Sequence, residues 1–167
     1  MKKILIFSAV LLAICLTLGA VSADDDWSFN FSSSKSVDTD GGSFSLENNK
    51  LNLQGFDFII PDGYKENESA RKLAVEADDI EDAKCSACFF VNGDKQIYVK
   101  VFFSDDNPFT NITPMDGQIE KTLADIDGVY EANQYGDDTP TFKYLEDGKL
   151  VEINAPDDDT IVSMLKK

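Results

Sequence analysis

The stretch Phe142-Lys143-Tyr144-Leu145-Glu146-Asp147-Gly148-Lys149-Leu150-Val151-Glu152-Ile153 decides the fold class. Asp147-Gly148 tolerates the positive φ angles of a two-residue hairpin turn. With that turn in place, Phe142 faces Ile153 and Tyr144 faces Val151 on one side, while Lys143 meets Glu152 and Leu145 meets Leu150 on the other. One side is apolar and the other carries a matched ion pair, so a slip by one residue would lose both. The domain is therefore expected to rest on antiparallel pairing of half-buried strands.

The same logic extends toward the N-terminus. Ala87 to Val91 and Gln96 to Phe103 flank Asn92-Gly93-Asp94, and Ile97, Val99, Val101 and Phe103 share one face of the second strand. Ser43 to Glu47 and Lys50 to Gln54 flank Asn48-Asn49, another pair suited to a tight hairpin. Phe56 to Ile60 continues the run, but its apolar parity shifts at Gly55, which suggests a bulge or sharp bend. Residues 64–84 are acidic and show no clean period beyond a weak alternation at Leu73, Val75 and Ala77.

Two stretches read as helical. Thr113 suits an N-cap with Pro114 behind it, Met115, Ile119, Leu123 and Ile126 recur at helical spacing, and Gly128 stands where a C-terminal glycine belongs. Residues 128–133 can then return as a strand. Pro156 with Asp157, Asp158 and Asp159 opens a closing helix that buries Ile161 and Leu165 and ends at Lys166-Lys167. The expectation is an α+β domain over residues 43–167, a mostly antiparallel sheet with helices at about 114–126 and 157–166 packed on one face. Its core should hold Phe58, Ile60, Phe90, Val99, Val101, Ile119, Leu123, Phe142, Val151, Ile153, Ile161 and Leu165.

Residues 1–23 read as a secretory signal. Lys2 and Lys3 precede an apolar run from Ile4 to Leu18, and Val21-Ser22-Ala23 supplies small residues at a cleavage site. Acidic Asp24-Asp25-Asp26 follows at once, and an uncleaved N-terminal anchor is the alternative. Residues 24–42 are polar and serine-rich and read as a flexible tether, although the alternation Trp27, Phe29, Phe31 would also suit a strand docked on the domain edge. The chain carries a formal net charge of −16, and loss of Lys2 and Lys3 makes it more negative. That surface repels nucleic acid and anionic lipid, so neither is an expected partner, and no membrane contact is expected once the signal is cleaved. With no histidine in the chain, serine–histidine or cysteine–histidine catalysis and histidine-based zinc sites are excluded.

Three patterns could carry chemistry. Cys85-Ser86-Ala87-Cys88 is a CxxC pair, but Cys88 runs into Phe89-Phe90-Val91, a strand, instead of opening a helix. In one extended strand the two Cα atoms lie about 10 Å apart at roughly 3.3 Å per residue. That exceeds the roughly 7 Å reach of a bridge. A disulfide therefore needs Cys85 in a turn; buried free thiols and a redox pair are the other readings. Asp38-Thr39-Asp40-Gly41-Gly42 starts like a calcium loop, yet Gly42 replaces the third ligand and Asn49 stands where a bidentate Glu is required. Asp105-Asp106-Asn107 and Asp157-Asp158-Asp159 are looser, so no metal ligand set and no cofactor are expected. Asn30, Asn67 and Asn111 open N-glycosylation sequons.

Taken together, residues 56–64 (Phe-Asp-Phe-Ile-Ile-Pro-Asp-Gly-Tyr), Gly128-Val129-Tyr130 and the 142–153 hairpin resemble uncharacterised small secreted or surface proteins of methanogenic archaea. The resemblance implies an archaeal envelope location and no activity. The order sheet, helix, sheet, helix is also similar to the PsbP/Mog1-like fold, an analogy of architecture alone. The expected function is a non-enzymatic extracytoplasmic interaction module, secreted or on the cell surface, that binds an envelope component or another surface protein. A thiol–disulfide oxidoreductase using Cys85 and Cys88 is the first alternative, and a weak calcium-binding surface protein the second.

Overall fold

The computed structural model describes residues 35–39, 42–78, 80–132 and 139–166. The chain divides into two units, Met1–Phe31 and Ser32–Lys167, and every described residue belongs to the second. The first strands, β1 (Lys35–Thr39), β2 (Gly42–Glu47), β3 (Lys50–Leu53) and β4 (Phe56–Ile59), form a four-stranded antiparallel meander. The remaining strands are β5 (Lys65–Glu66), β6 (Lys72–Glu76), β7 (Lys84–Asn92), β8 (Lys95–Phe103), β9 (Ile119–Leu123), β10 (Ile126–Glu131), β11 (Thr141–Glu146) and β12 (Lys149–Asn154). They form a second antiparallel sheet in the order β5-β7-β8-β12-β11-β10-β9, with β6 also paired to β7. One α-helix, α1 (Asp158–Leu165), closes the described chain and packs against β4 and β9.

Both sheets contribute to one core. Phe44, Leu51, Leu53, Phe56 and Phe58 of the smaller sheet pack with Cys88, Phe90, Ile97, Val99, Val101, Phe142, Tyr144, Val151 and Ile153 of the larger, and Ile161, Met164 and Leu165 of α1 join them. Two apolar sheet faces buried against each other make a β-sandwich. An ion pair adds a polar link between the layers. The Arg71 guanidinium lies 4.3 Å above the Phe44 ring and its Nε is 2.9 Å from Glu66 Oε1. Neither buried oxygen of Glu66 receives an aligned hydrogen bond, and burial pushes this carboxyl up against the pull of Arg71.

The hairpins have simple local causes. In the last one, Phe142 pairs with Ile153, Lys143 with Glu152, Tyr144 with Val151 and Leu145 with Leu150, the register read from the Asp147-Gly148 turn. Asn48-Asn49 joins β2 to β3 with φ of 49° and 63°, the mirror-image turn that follows strand twist. α1 begins where expected: Asp157 caps it, its Oδ1 accepting from the Thr160 backbone N–H at 2.7 Å and from the Thr160 hydroxyl at 2.6 Å. Those bonds hold the Asp157 carboxyl below its usual range.

The α+β expectation is corrected: the domain is β-rich, and of the two expected helices only the one at 157–166 forms. Residues 114–126 contain a turn at Met115–Gln118, then β9, then a two-residue turn at Ala124-Asp125 with φ of 50° and 64°. The apparent helical spacing has a hairpin origin. Leu123 and Ile126 are three apart because they pair directly across that turn, not because they share a helix face. Ile119 is correspondingly exposed, whereas the other residues expected in the core are buried. Gly128 is no helix cap but a β10 position where a Cβ would stand 2.7 Å from two ring carbons of Phe142 and overlap the Lys143 carbonyl oxygen. Gly55, at φ 88° beside Gln54 at 57°, is a hairpin turn joining Leu53 to Phe56 and not a bulge. Within the segment read as a tether, Lys35–Thr39 is strand β1, paired with β2. Residues 24–34, with the Trp27, Phe29, Phe31 alternation, and the signal at 1–23 lie outside the described residues.

Candidate functional site

The larger sheet ends at β9, and that end departs most from what the amino-acid types demand. Met115 is 68% exposed and Ile119 57%, the highest values among the large apolar side chains described. Ile119 pairs with Tyr130, which pairs with fully buried Phe142, so Ile119 lies on the core-facing side of the sheet. It is nevertheless uncovered, because the apolar cover supplied by α1 stops short of it. The last links across this rim are polar: Lys121 ion-pairs with Asp158, and the Tyr130 hydroxyl donates to Asp158 Oδ1 at 2.7 Å. Burial pushes Asp158 up, but the bonds from Lys121 and Tyr130 outweigh it and leave the carboxyl below its usual range.

Backbone geometry follows from the turn. A two-residue loop makes Leu123 and Ile126 a hydrogen-bonded pair, and pairing alternates from there. Lys121 with Gly128 and Ile119 with Tyr130 therefore exchange bonds across the hairpin. Glu120 and Thr122 turn their N–H and C=O groups outward to the free edge, where no backbone partner is seen among the described residues. The Thr122 hydroxyl bonds Asp127 Oδ1 at 2.6 Å across the strand pair, which fixes both side chains on the face opposite Ile119.

A groove of about 630 Å³ adjoins that face, lined by Thr110, Asn111, Ile112, Glu120, Thr122 and Asp127 among others. The segment on its far wall is held by Phe109 N–H donating to Gly148 O at 2.8 Å. The charge is one-sided. Glu120 and Asp127 present carboxylates, whereas the Lys121 ammonium is engaged by Asp158 and lies 3.7 Å from the Tyr130 ring centroid. The turn before β9 is braced: Gln118 N–H donates to Met115 O at 3.0 Å, Met115 N–H to Gln118 Oε1 at 3.1 Å, and Gln118 Nε2 to Glu131 Oε2 at 2.9 Å. The exposed Met115 therefore sits on a fixed turn.

The sequence-derived candidates are scattered. Cys85 and Cys88 are both buried and free in β7, on opposite faces of the sheet. An extended strand places residues three apart on opposite sides, so the disulfide reading fails here for the geometric reason already given. Burial pushes the Cys85 thiol up to about 11 and the Cys88 thiol up to about 12; for Cys85 the Lys100 charge opposes the shift weakly, and for Cys88 Glu66 adds to it. A low-pKa nucleophile needs the reverse. Asn67 is half-buried, its N–H donating to Phe89 O and its Oδ1 accepting from the Ser69 hydroxyl at 2.7 Å. Asn111 is exposed in the groove wall, and Asn30 lies outside the described residues. Asp157 and Asp158 are engaged as above, and Asp105 pairs with Lys84 at 3.4 Å. Among the described residues no three acidic or cysteine side chains converge as metal ligands.

The helical spacing across residues 114–126 hides the β9 edge from the sequence. The Thr122–Asp127 pair around Ala124-Asp125 is the one local signal that could have shown the hairpin. Comparison with protein-family models, with curated proteins and with solved structures finds no match.

Proposed function

We propose that this protein is a non-enzymatic extracytoplasmic interaction module that holds another envelope component or surface protein through the free end of its larger sheet. The observation that carries the reading is the pair Met115 and Ile119, apolar, exposed and fixed beside a strand edge that has no partner among the described residues. Burying two such side chains is worth about 1.5–3 kcal/mol each. Edge strands that serve no partner are usually blunted by charge, proline or cover; β9 carries Glu120 and Lys121, but Lys121 is turned onto Asp158 and Ile119 stays exposed beside them. The N-terminal signal-like segment and the acidic surface support a place outside the cytoplasm.

Retention on washed envelope fragments of the source cells tests this. The Met115→Asp/Ile119→Asp double variant is expected to fold normally, since both positions are exposed, and to lose about tenfold or more in retention, a change of about 1.4 kcal/mol. Retention equal to wild type would remove the β9 end as the binding surface.

The redox alternative has a separate test. Both thiols are expected to resist an alkylating or disulfide reagent at neutral pH until the protein is denatured, because each is buried and protonated. Rapid modification of the native protein, with insulin reduction in glutathione buffers, would favour the oxidoreductase instead.

A further inference from the structure

We infer that the β9 edge takes up an extended polypeptide segment as an added strand, and that this segment alternates cationic and apolar side chains. The inference rests on the interaction reading above and names the chemistry of its partner. Three observations converge. Glu120 and Thr122 present backbone donors and acceptors outward at strand spacing, the template that strand addition uses. Side chains of a paired strand alternate between the two faces of the sheet. Those on the side of Glu120 and Thr122 enter the groove beside the Glu120 and Asp127 carboxylates, while the ammonium of Lys121, which also lines the groove, is turned onto Asp158 and the Tyr130 ring. Those on the other side lie against exposed Ile119.

Charge also decides between occupants. A second copy would bring its own Glu120 and Asp127, on a chain of net charge −16, to the same edge. A cationic segment of a different protein gains attraction where a second copy loses it. The groove volume leaves room for long side chains on that face.

The test uses the full chain, produced without glycosylation so that Asn111 is unmodified, and labelled synthetic peptides of about eight residues, an ordinary strand length. One peptide alternates Lys and Val, a second Glu and Val, and a third is the Lys–Val peptide with every backbone amide N-methylated, which removes the donors from both of its edges. The Lys–Val peptide is expected to bind about tenfold or more tighter than the Glu–Val one, and more weakly as salt rises. N-methylation should abolish binding, Glu120→Lys should reverse the charge preference, and bound peptide should slow hydrogen exchange at the Glu120 and Thr122 amides. Equal binding of both charges, binding indifferent to N-methylation, no binding, or unchanged exchange at those amides overturns the inference. Concentration-dependent protection of the same amides without peptide would assign the edge to a second copy and overturn it too. If the peptides fail while Met115→Asp/Ile119→Asp still loses envelope retention, the strand chemistry is wrong and the interaction surface stands. If retention is also unaffected, the surface itself is wrong.

Discussion

Gly128→Ala is expected to destabilise the domain by about 3 kcal/mol, the upper end of what overpacking a filled core costs. Alanine ordinarily stabilises a strand relative to glycine by roughly 0.5–1 kcal/mol, because glycine loses more backbone freedom on folding. Here the steric term wins. The added methyl would stand 2.7 Å from two ring carbons of Phe142 and overlap the Lys143 carbonyl oxygen. Phe142 is fully buried and stacked against Tyr144 with ring centroids 5.8 Å apart, so neither ring has space to retreat, and the carbonyl belongs to the ladder between β10 and β11. The strands must separate or the hairpin must shift. Denaturant unfolding checks this: the midpoint should fall with the slope preserved. Gly55→Ala serves as the contrast, because no atom lies within 4 Å of its Cβ and only the strain of φ 88° opposes the change. A Gly128→Ala protein as stable as wild type would mean that β10 does not lie against β11 as described.

Glu152→Ala is expected to cost more, about 3–5 kcal/mol, the range for removing one partner of a buried ion pair. Glu152 lies on the outer face of the larger sheet, where its Oε1 accepts from Lys100 Nζ at 2.8 Å and its Oε2 from Lys143 Nζ at 3.1 Å. Its side chain is 7% exposed, and those of the two lysines 16% and 19%. One carboxylate therefore bridges two partly buried ammonium groups across three strands. Deletion leaves both facing each other over a hole flanked by Phe102 and Leu150. Replacing all three at once, as Lys100→Met/Glu152→Leu/Lys143→Met, should recover most of the loss, since an apolar cluster of similar volume removes all three partly buried charges together. Urea unfolding of the single and triple variants decides it. A loss below about 1 kcal/mol in Glu152→Ala would place the triad among ordinary surface ion pairs.

Much of the architecture was legible because its determinants are local. Asn48-Asn49 and Asp147-Gly148 tolerate turn angles that most residues avoid, and a two-residue turn leaves no freedom in register, whereas the narrowing of Asn92-Gly93-Asp94 to a Gly93-Asp94 turn is seen only in the structure. The Lys143–Glu152 contact followed from that arithmetic, whereas the addition of Lys100 on the other side of Glu152 required the β8–β12 pairing, which no local pattern announces. The misread helix shows the limit of periodicity. Spacings of three and four fit one face of a helix, and a spacing of three also fits two residues opposed across a two-residue turn. Ala124-Asp125 carries a weaker turn signal than an Asn-Gly or Asp-Gly pair, so nothing local broke the tie.

The candidate site was hardly legible at all, and the reason is physical. Whether a strand is an edge, and whether an apolar side chain on it is covered, depends on what stacks above and beside it. Met115 and Ile119 look like core residues by type, and only the limited reach of α1 leaves them bare. The pairing of Cys85 and Cys88 was likewise left open by spacing and closed by the straightness of β7. What the sequence by itself determined was the hairpins around Asn48-Asn49, Asn92-Gly93-Asp94 and Asp147-Gly148, the register of the last of them and the capped final helix, because turn chemistry and strand alternation act over a few residues. Only the tertiary structure decided the strand order, the second sheet laid over the first and the uncovered edge at β9, because these arise from contacts between segments far apart in the chain.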